Sequence, residues 1–133
     1  MTSEKMATLR KMLEALVELN AEFLKQHKKL AGEDYPSIYE VAPRCRKSAE
    51  DFWQTIPLCV ESGVGDVCDF ACWRVAELRA AGYEDVHPYV KVTQMENGSH
   101  WTTVQVRVGD VIEDPMAILG ALGRRSVTLT FGT

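Results

Sequence analysis

Among the residue types able to carry covalent chemistry, Cys68, His100 and Asp114 stand in an order and spacing that would serve a cysteine nucleophile. Asp66 is positioned to cap a helix, which puts Cys68 in its first turn. There, unpaired backbone N–H groups and the positive end of the helix dipole lower a thiol pKa and favour the thiolate. The same helix start, at Asp66, Val67 and Asp69, would present N–H groups to the oxyanion that forms when a thiolate attacks an acyl carbon. His100 is the candidate general base, and Asp114 the group that would hold its ring in the correct tautomer. Beside this reading stands a plainer one. Cys68 and Cys72 lie one turn apart on a helix with Ala71, Val75 and Ala76, where cysteines act as small core hydrophobes, and Cys72 is assigned that role. Asp114 before Pro115 is also a good N-cap. His27 and His87 read as surface or boundary residues. A metal site from Cys68, Cys72 and His100 would use ligands on one helix face, but CxxC spacing is absent, and neither metal nor cofactor is expected.

The elements that must position these groups are legible in the hydrophobic pattern. From Ser3 to Leu30, apolar residues Met6, Leu9, Leu13, Leu16, Phe23 and Leu30 recur at three and four, widened by Met12, Val17 and Leu24, with Gly32 as a stop. This is one long amphipathic helix over residues 1–32, about 40 Å in length. Either part of its stripe protrudes and seeks a protein partner or a second copy, or the helix bends across its own domain. Residues 33–65 are irregular, broken by Pro36, Pro43 and Pro57. Ser48 with Asp51 forms a capping pattern before Phe52 and Trp53, and Thr55 with Pro57 opens a turn ending at Gly63. Arg44, Arg46 and Lys47 read as a solvated basic patch. Asp66 opens the helix Val67 to about Ala81, with Gly82 at its end. The period then changes to two: residues 86–95 and 100–108 form a hairpin around Asn97-Gly98. A short strand Val111 to Glu113 follows, then a helical turn capped by Asp114, and SVTLTF (126–131) reads as a closing edge strand. Helices first and an antiparallel sheet afterwards make an α+β fold, in which a long N-terminal helix and short helices pack on a small sheet.

The chain has 133 residues, enough for one domain, and its 46% apolar and 26% charged composition is ordinary for a folded protein. Its net charge of −4 falls entirely in residues 61–133, which hold six basic and ten acidic side chains. No global positive field exists to hold a phosphate backbone, so nucleic acid is not an expected partner. No apolar run approaches the roughly 20 residues of a membrane span. The N-terminal residues show no leader pattern, so the four cysteines are expected in a reduced, cytoplasmic compartment.

The segments GDVCDFACWRVAELRAAGYEDVHPYVKV (65–92) and TTVQVRVGDVIEDPMAILG (102–120) resemble a family of small transglutaminase-like proteins of the papain-like cysteine-peptidase superfamily, found in bacteriophages and prophages. The resemblance covers about half of the chain, Asp51 to Gly120, with FWQTIP its weakest part. It implies a papain- or transglutaminase-like core over residues 48–133 and a Cys-His-Asp triad, with a bacterial host cytoplasm or a phage particle as the setting. The family's Gly-Asp-Cys is here Gly65-Asp66-Val67, so Cys68 stands one residue beyond the nucleophile position. The family's histidine register falls on Thr103, three residues after His100, whereas Asp114 matches without a shift. One helical step rotates a side chain by about 100°. Either the chain is a silent descendant kept for a structural or assembly task, a pseudoenzyme that acts as an oligomer or adaptor, or a rewound helix start and a β-bulge reunite Cys68 with His100. The second alternative makes the chain a cysteine-dependent hydrolase or acyltransferase. His100 shares strand parity with Val104, Val106 and Val108, the expected core-facing side. A peptide-binding module with a taste for basic ligands is a third reading, from the acidic second half.

Overall fold

The computed structural model describes residues 2–45 and 53–122. Ser48, Asp51, Phe52, the Arg46-Lys47 part of the basic patch, and the SVTLTF strand lie outside the described residues. The described elements are α1 (Ser3–Ala31), α2 (Ile38–Val41), β1 (Arg44–Cys45), α3 (Ile56–Ser62), β2 (Val64–Gly65), α4 (Val67–Ala80), β3 (Val86–Gln94), β4 (His100–Val108) and β5 (Val111–Glu113). Residues 115–122 are helical. The fold is α+β: a long N-terminal helix and short helices against a three-stranded antiparallel sheet of order β3-β4-β5.

α1 starts at Thr2, whose hydroxyl accepts from Lys5 N at 3.2 Å, and stops at Gly32, which takes the left-handed conformation with φ 78°. Its buried residues are Leu13, Leu16, Val17, Asn20 and Leu24, a stripe at helical spacing over the middle of the helix only. Met6 and Leu9 are half-buried, while Met12 is exposed and Leu30 is 85% exposed. The expected core stripe is therefore shorter than its sequence pattern, because 29 residues at 1.5 Å each outrun the α4 surface against which they pack.

α4 is the central element. Phe70, Ala71, Cys72, Trp73, Val75 and Ala76 are each fully buried, since α1 covers one side and the sheet another. Burying a side chain as large as Phe70 stabilises the fold by roughly 2–3 kcal/mol. Its weak amphipathicity follows from having neighbours on most sides. The helix ends at Ala80, and Gly82, with φ 106°, takes the chain out towards β3.

β3 and β4 pair from Val86↔Val108 to Gln94↔His100, and β4 pairs with β5 from Val106↔Glu113 to Val108↔Val111. Val86, Val104 and Val106 are buried on the α4 side of the sheet. Asn97 and Gly98 make the hairpin turn, Gly98 with φ 87°. A feature absent from the sequence reading is the parallel pairing of β1 with β2, Arg44↔Val64 and Cys45↔Gly65. Strands of two residues have no alternation to read, and a parallel pair needs no hairpin signal. Thr55, Pro57 and Gly63 bound α3 as the sequence implies.

Candidate functional site

The front of α4 is built by a reciprocal capping box. Asp66 Oδ1 accepts from Asp69 N at 3.0 Å, and Asp69 Oδ2 accepts from Asp66 N at 3.1 Å. Asp69 is fully buried and also accepts from Gln54 N at 2.8 Å. Gln54 in turn donates through Nε2 to Val64 O at 3.0 Å and accepts from the Ser62 hydroxyl at 3.1 Å. This network ties the segment before α3, the β2 strand and the start of α4 into one unit. Burial holds the Asp69 carboxyl above its ordinary range, and the N–H bond from Gln54 works against that rise.

Cys68 is half-buried one residue into this turn. Burial, and then the charges of Asp66 and Asp69, push the thiol up to about 12, a direction opposite to the one that the helix start alone implies. Two carboxylates sit where the positive end of the helix dipole would otherwise act on the sulfur. Helix position alone implies the opposite sign, because it counts the backbone N–H groups and neither the burial of the sulfur nor the acidic cap. The expected oxyanion site at Asp66, Val67 and Asp69 is affected in the same way, since Asp69 N is already bonded to the Asp66 carboxylate and Phe70 N to Asp66 O. Cys72 is fully buried and its thiol donates to Leu13 O at 3.4 Å, the core role assigned from sequence.

The other two members stand elsewhere. His100 is exposed at the first position of β4, opposite Gln94 beside the hairpin turn. It has the parity of Val104 and Val106, as expected, but Val104 is four residues further along, about 13 Å at strand rise. The histidine overhangs the core. Thr103, at the resembled family's histidine position, has the other parity and pairs with Lys91.

Asp114 N-caps the final helical segment, accepting from Ala117 N at 3.2 Å. Its face follows from the register. Glu113 partners Val106 and bonds Arg74 of α4, so it lies on the α4 side, and Asp114 alternates to the opposite face. There its Oδ2 accepts from Gln105 Nε2 at 3.1 Å. Among the described residues, no hydrogen bond or ion pair joins any two of Cys68, His100 and Asp114.

The most connected polar cluster is one the sequence reading missed. Arg74 donates to Glu113 from Nε at 2.7 Å and to Glu77 from Nη1 at 2.6 Å, and its guanidinium lies 4.8 Å from the Tyr39 ring centre. Tyr39 donates to Glu113 at 2.6 Å, and burial followed by this bond raises its phenol well above the ordinary range. Glu77 accepts from the Ser37 hydroxyl at 2.7 Å and from Ile38 N at 2.9 Å. These groups pin α2 and β5 to α4. Apart from the Arg74–Glu77 pair, three positions apart on α4, these hydrogen-bond partners stand about 40 or more positions away in sequence, so no local spacing announces them. A cleft of about 830 Å³ opens beside this cluster, lined by Lys25, Lys28, Asp34, Arg74 and Glu77 among others, and its lining contains none of Cys68, His100 and Asp114.

Among the described residues no group of three or more His, Cys, Asp or Glu side chains is placed to hold a metal ion, and no helix is long and apolar enough to cross a membrane. No protein-family model, curated protein or solved structure matches the chain.

Proposed function

We propose that the chain is a catalytically silent member of the transglutaminase-like, papain-like lineage and serves as a structural or assembly protein, in the phage or prophage setting that the sequence resemblance implies. The observation that carries this reading is the Cys68 thiol, held neutral by burial and by the two carboxylates of the α4 cap. Val67 and Thr103 at the two resembled catalytic positions support it, as does the placement of Asp114 on the sheet face turned away from α4. The task falls to surfaces. α1 leaves Met12, Leu19 and Leu30 exposed, apolar groups available to a protein partner or a second copy.

One observation favours the alternative of an active cysteine acyl-transfer enzyme: His100 does share the α4-facing parity of β4. Alkylation kinetics separate the two. With a pKa of about 12, Cys68 carries roughly three-thousandfold less thiolate at neutral pH than a thiol of pKa near 8.5. The greater nucleophilicity of a basic thiolate recovers about half of that factor on a logarithmic scale. Iodoacetamide is therefore expected to modify Cys68 at least tenfold more slowly than glutathione, with a rate still climbing at pH 10. An inflection below pH 8, or a stoichiometric acyl-enzyme with an activated ester, overturns the silent reading. Light scattering over a wide concentration range tests the assembly role, for which self-association that Leu30→Glu abolishes is the expected result if α1 meets a second copy.

A further inference from the structure

Two cysteines that play no part in the triad converge on one point of the fold. Cys45 pairs with Gly65 in the parallel β1–β2 ladder, and register partners in a parallel pair direct their side chains to the same face, with strands about 4.8 Å apart. The position that a Gly65 side chain would occupy is already filled. A Cβ built there would stand 2.6 Å from Phe70 Cε1 and 3.3 Å from Cys59 Sγ. The face to which Cys45 turns is thus the face on which the Cys59 sulfur sits, one strand away. Cys59 is fully buried and Cys45 is exposed, so an outer thiol covers an inner one.

We propose that Cys45 and Cys59 form a redox-modification site that takes up an intramolecular disulfide by exchange with a small-molecule disulfide. In the first step the Cys45 thiolate attacks one sulfur of oxidised glutathione, which forms a mixed disulfide and releases one glutathione thiolate. In the second, the Cys59 thiolate attacks the Cys45 sulfur, which closes the protein disulfide and releases the second glutathione thiolate. Two protein thiols are oxidised, one glutathione disulfide is reduced to two thiols, and the two protons lost by Cys45 and Cys59 are taken up by the two released glutathione thiolates. The arrangement suits this order, because the solvent-facing thiol meets the oxidant and the buried one resolves it. The bond joins β1 to α3 and closes the chain between them into a covalent loop. The sequence reading placed all four cysteines in a reduced compartment; this site gives one pair of them a response to a change in that compartment.

The test uses the full chain equilibrated in glutathione buffers from strongly reducing to an oxidising poise of about −180 mV, acid-quenched and alkylated. Loss of two alkylatable thiols together is expected. Digestion with trypsin and a Glu-specific protease should give the Cys45-Arg46 dipeptide linked to the fragment Asp51 to Glu61, which separates Cys59 from Cys68 and Cys72. The oxidised protein should melt about 5 °C or more above the reduced one, reversibly on adding reductant. Cys59→Ala should convert the transient glutathione adduct on Cys45 into a stable one, and Cys45→Ser should leave Cys59 alkylatable at every poise after denaturation. A link from Cys45 to Cys68 or Cys72, a stable glutathione adduct on wild-type Cys45, or four alkylatable thiols at the oxidising poise overturns the proposal.

Discussion

Replacing Gly65 by Ala tests how the front of α4 is held. Gly65 is buried, and its backbone is not in the left-handed region, so any cost arises from space and not from backbone strain. The added Cβ would meet Phe70 Cε1 at 2.6 Å and Cδ1 at 3.2 Å, against about 3.5–4.0 Å for a favourable carbon contact. The Phe70 ring is fully buried within the core and has little room to withdraw. Overpacking of this degree costs about 2–3 kcal/mol, and the reduced freedom of the unfolded alanine chain offsets about 0.5–1 kcal/mol of it. The expected net loss is about 1.5–2 kcal/mol, or roughly 5–8 °C in melting temperature for a chain of this size. Phe70→Leu removes the ring atoms that collide. In that background Gly65→Ala should cost no more than about 0.5 kcal/mol, which gives a coupling of about 1–1.5 kcal/mol in a double-mutant cycle. Urea unfolding followed by circular dichroism measures all four corners. Additivity within about 0.4 kcal/mol would refute the claim that β2 rests directly on the first turn of α4.

Two further outcomes follow from the polar networks. Because the Asp69 carboxyl is raised in the folded state above 3.8, its contribution to stability is greatest below that value and is lost as pH rises through the raised one. Wild type should therefore lose stability relative to Asp69→Asn as pH rises above about 4, measured by urea midpoints; the opposite trend would show the carboxylate to be the favoured form. Arg79 joins three elements, donating to Glu14 of α1 and to Val86 O from Nε at 3.0 Å and Nη2 at 2.8 Å. Arg79→Lys should lose about 1 kcal/mol despite keeping the charge, because an ammonium cannot reproduce the fork, while the partly exposed Glu14 pair adds little in salt. A lysine variant as stable as wild type at both low and high salt would assign the arginine no structural part.

What the sequence discloses divides by the range of the interaction. α1, the Asp66 cap, the hairpin about Asn97-Gly98 and the Val111–Glu113 strand rest on neighbours within a few positions, and composition and period announce them. Asp69 is legible as an acidic residue in a first turn, but its bond to Gln54 N, 15 positions away, is not, nor is the burial of Cys68 that raises its thiol. The parity of His100 could be counted along β4, yet its distance from the core depended on where α4 ends its cover. Asp114 was placed correctly as a cap. Its face is not local: it follows from Glu113 meeting Arg74, 39 positions away.

Asn20 is the one fully buried polar residue of α1, and its Oδ1 accepts from Ile56 N at 2.8 Å. An apolar stripe of leucines and valines tolerates sliding by a turn, since each step replaces one aliphatic contact with another. Asn20 does not: moved by one turn, about 5.4 Å, it would leave the Ile56 amide without its acceptor and strip its own buried side chain of the Oδ1 bond that holds it. The helix is thereby indexed. Whatever partner its projecting ends engage meets them at one fixed rotation and one fixed depth, so a surface made of interchangeable aliphatic groups acquires a unique zero point from a single amide.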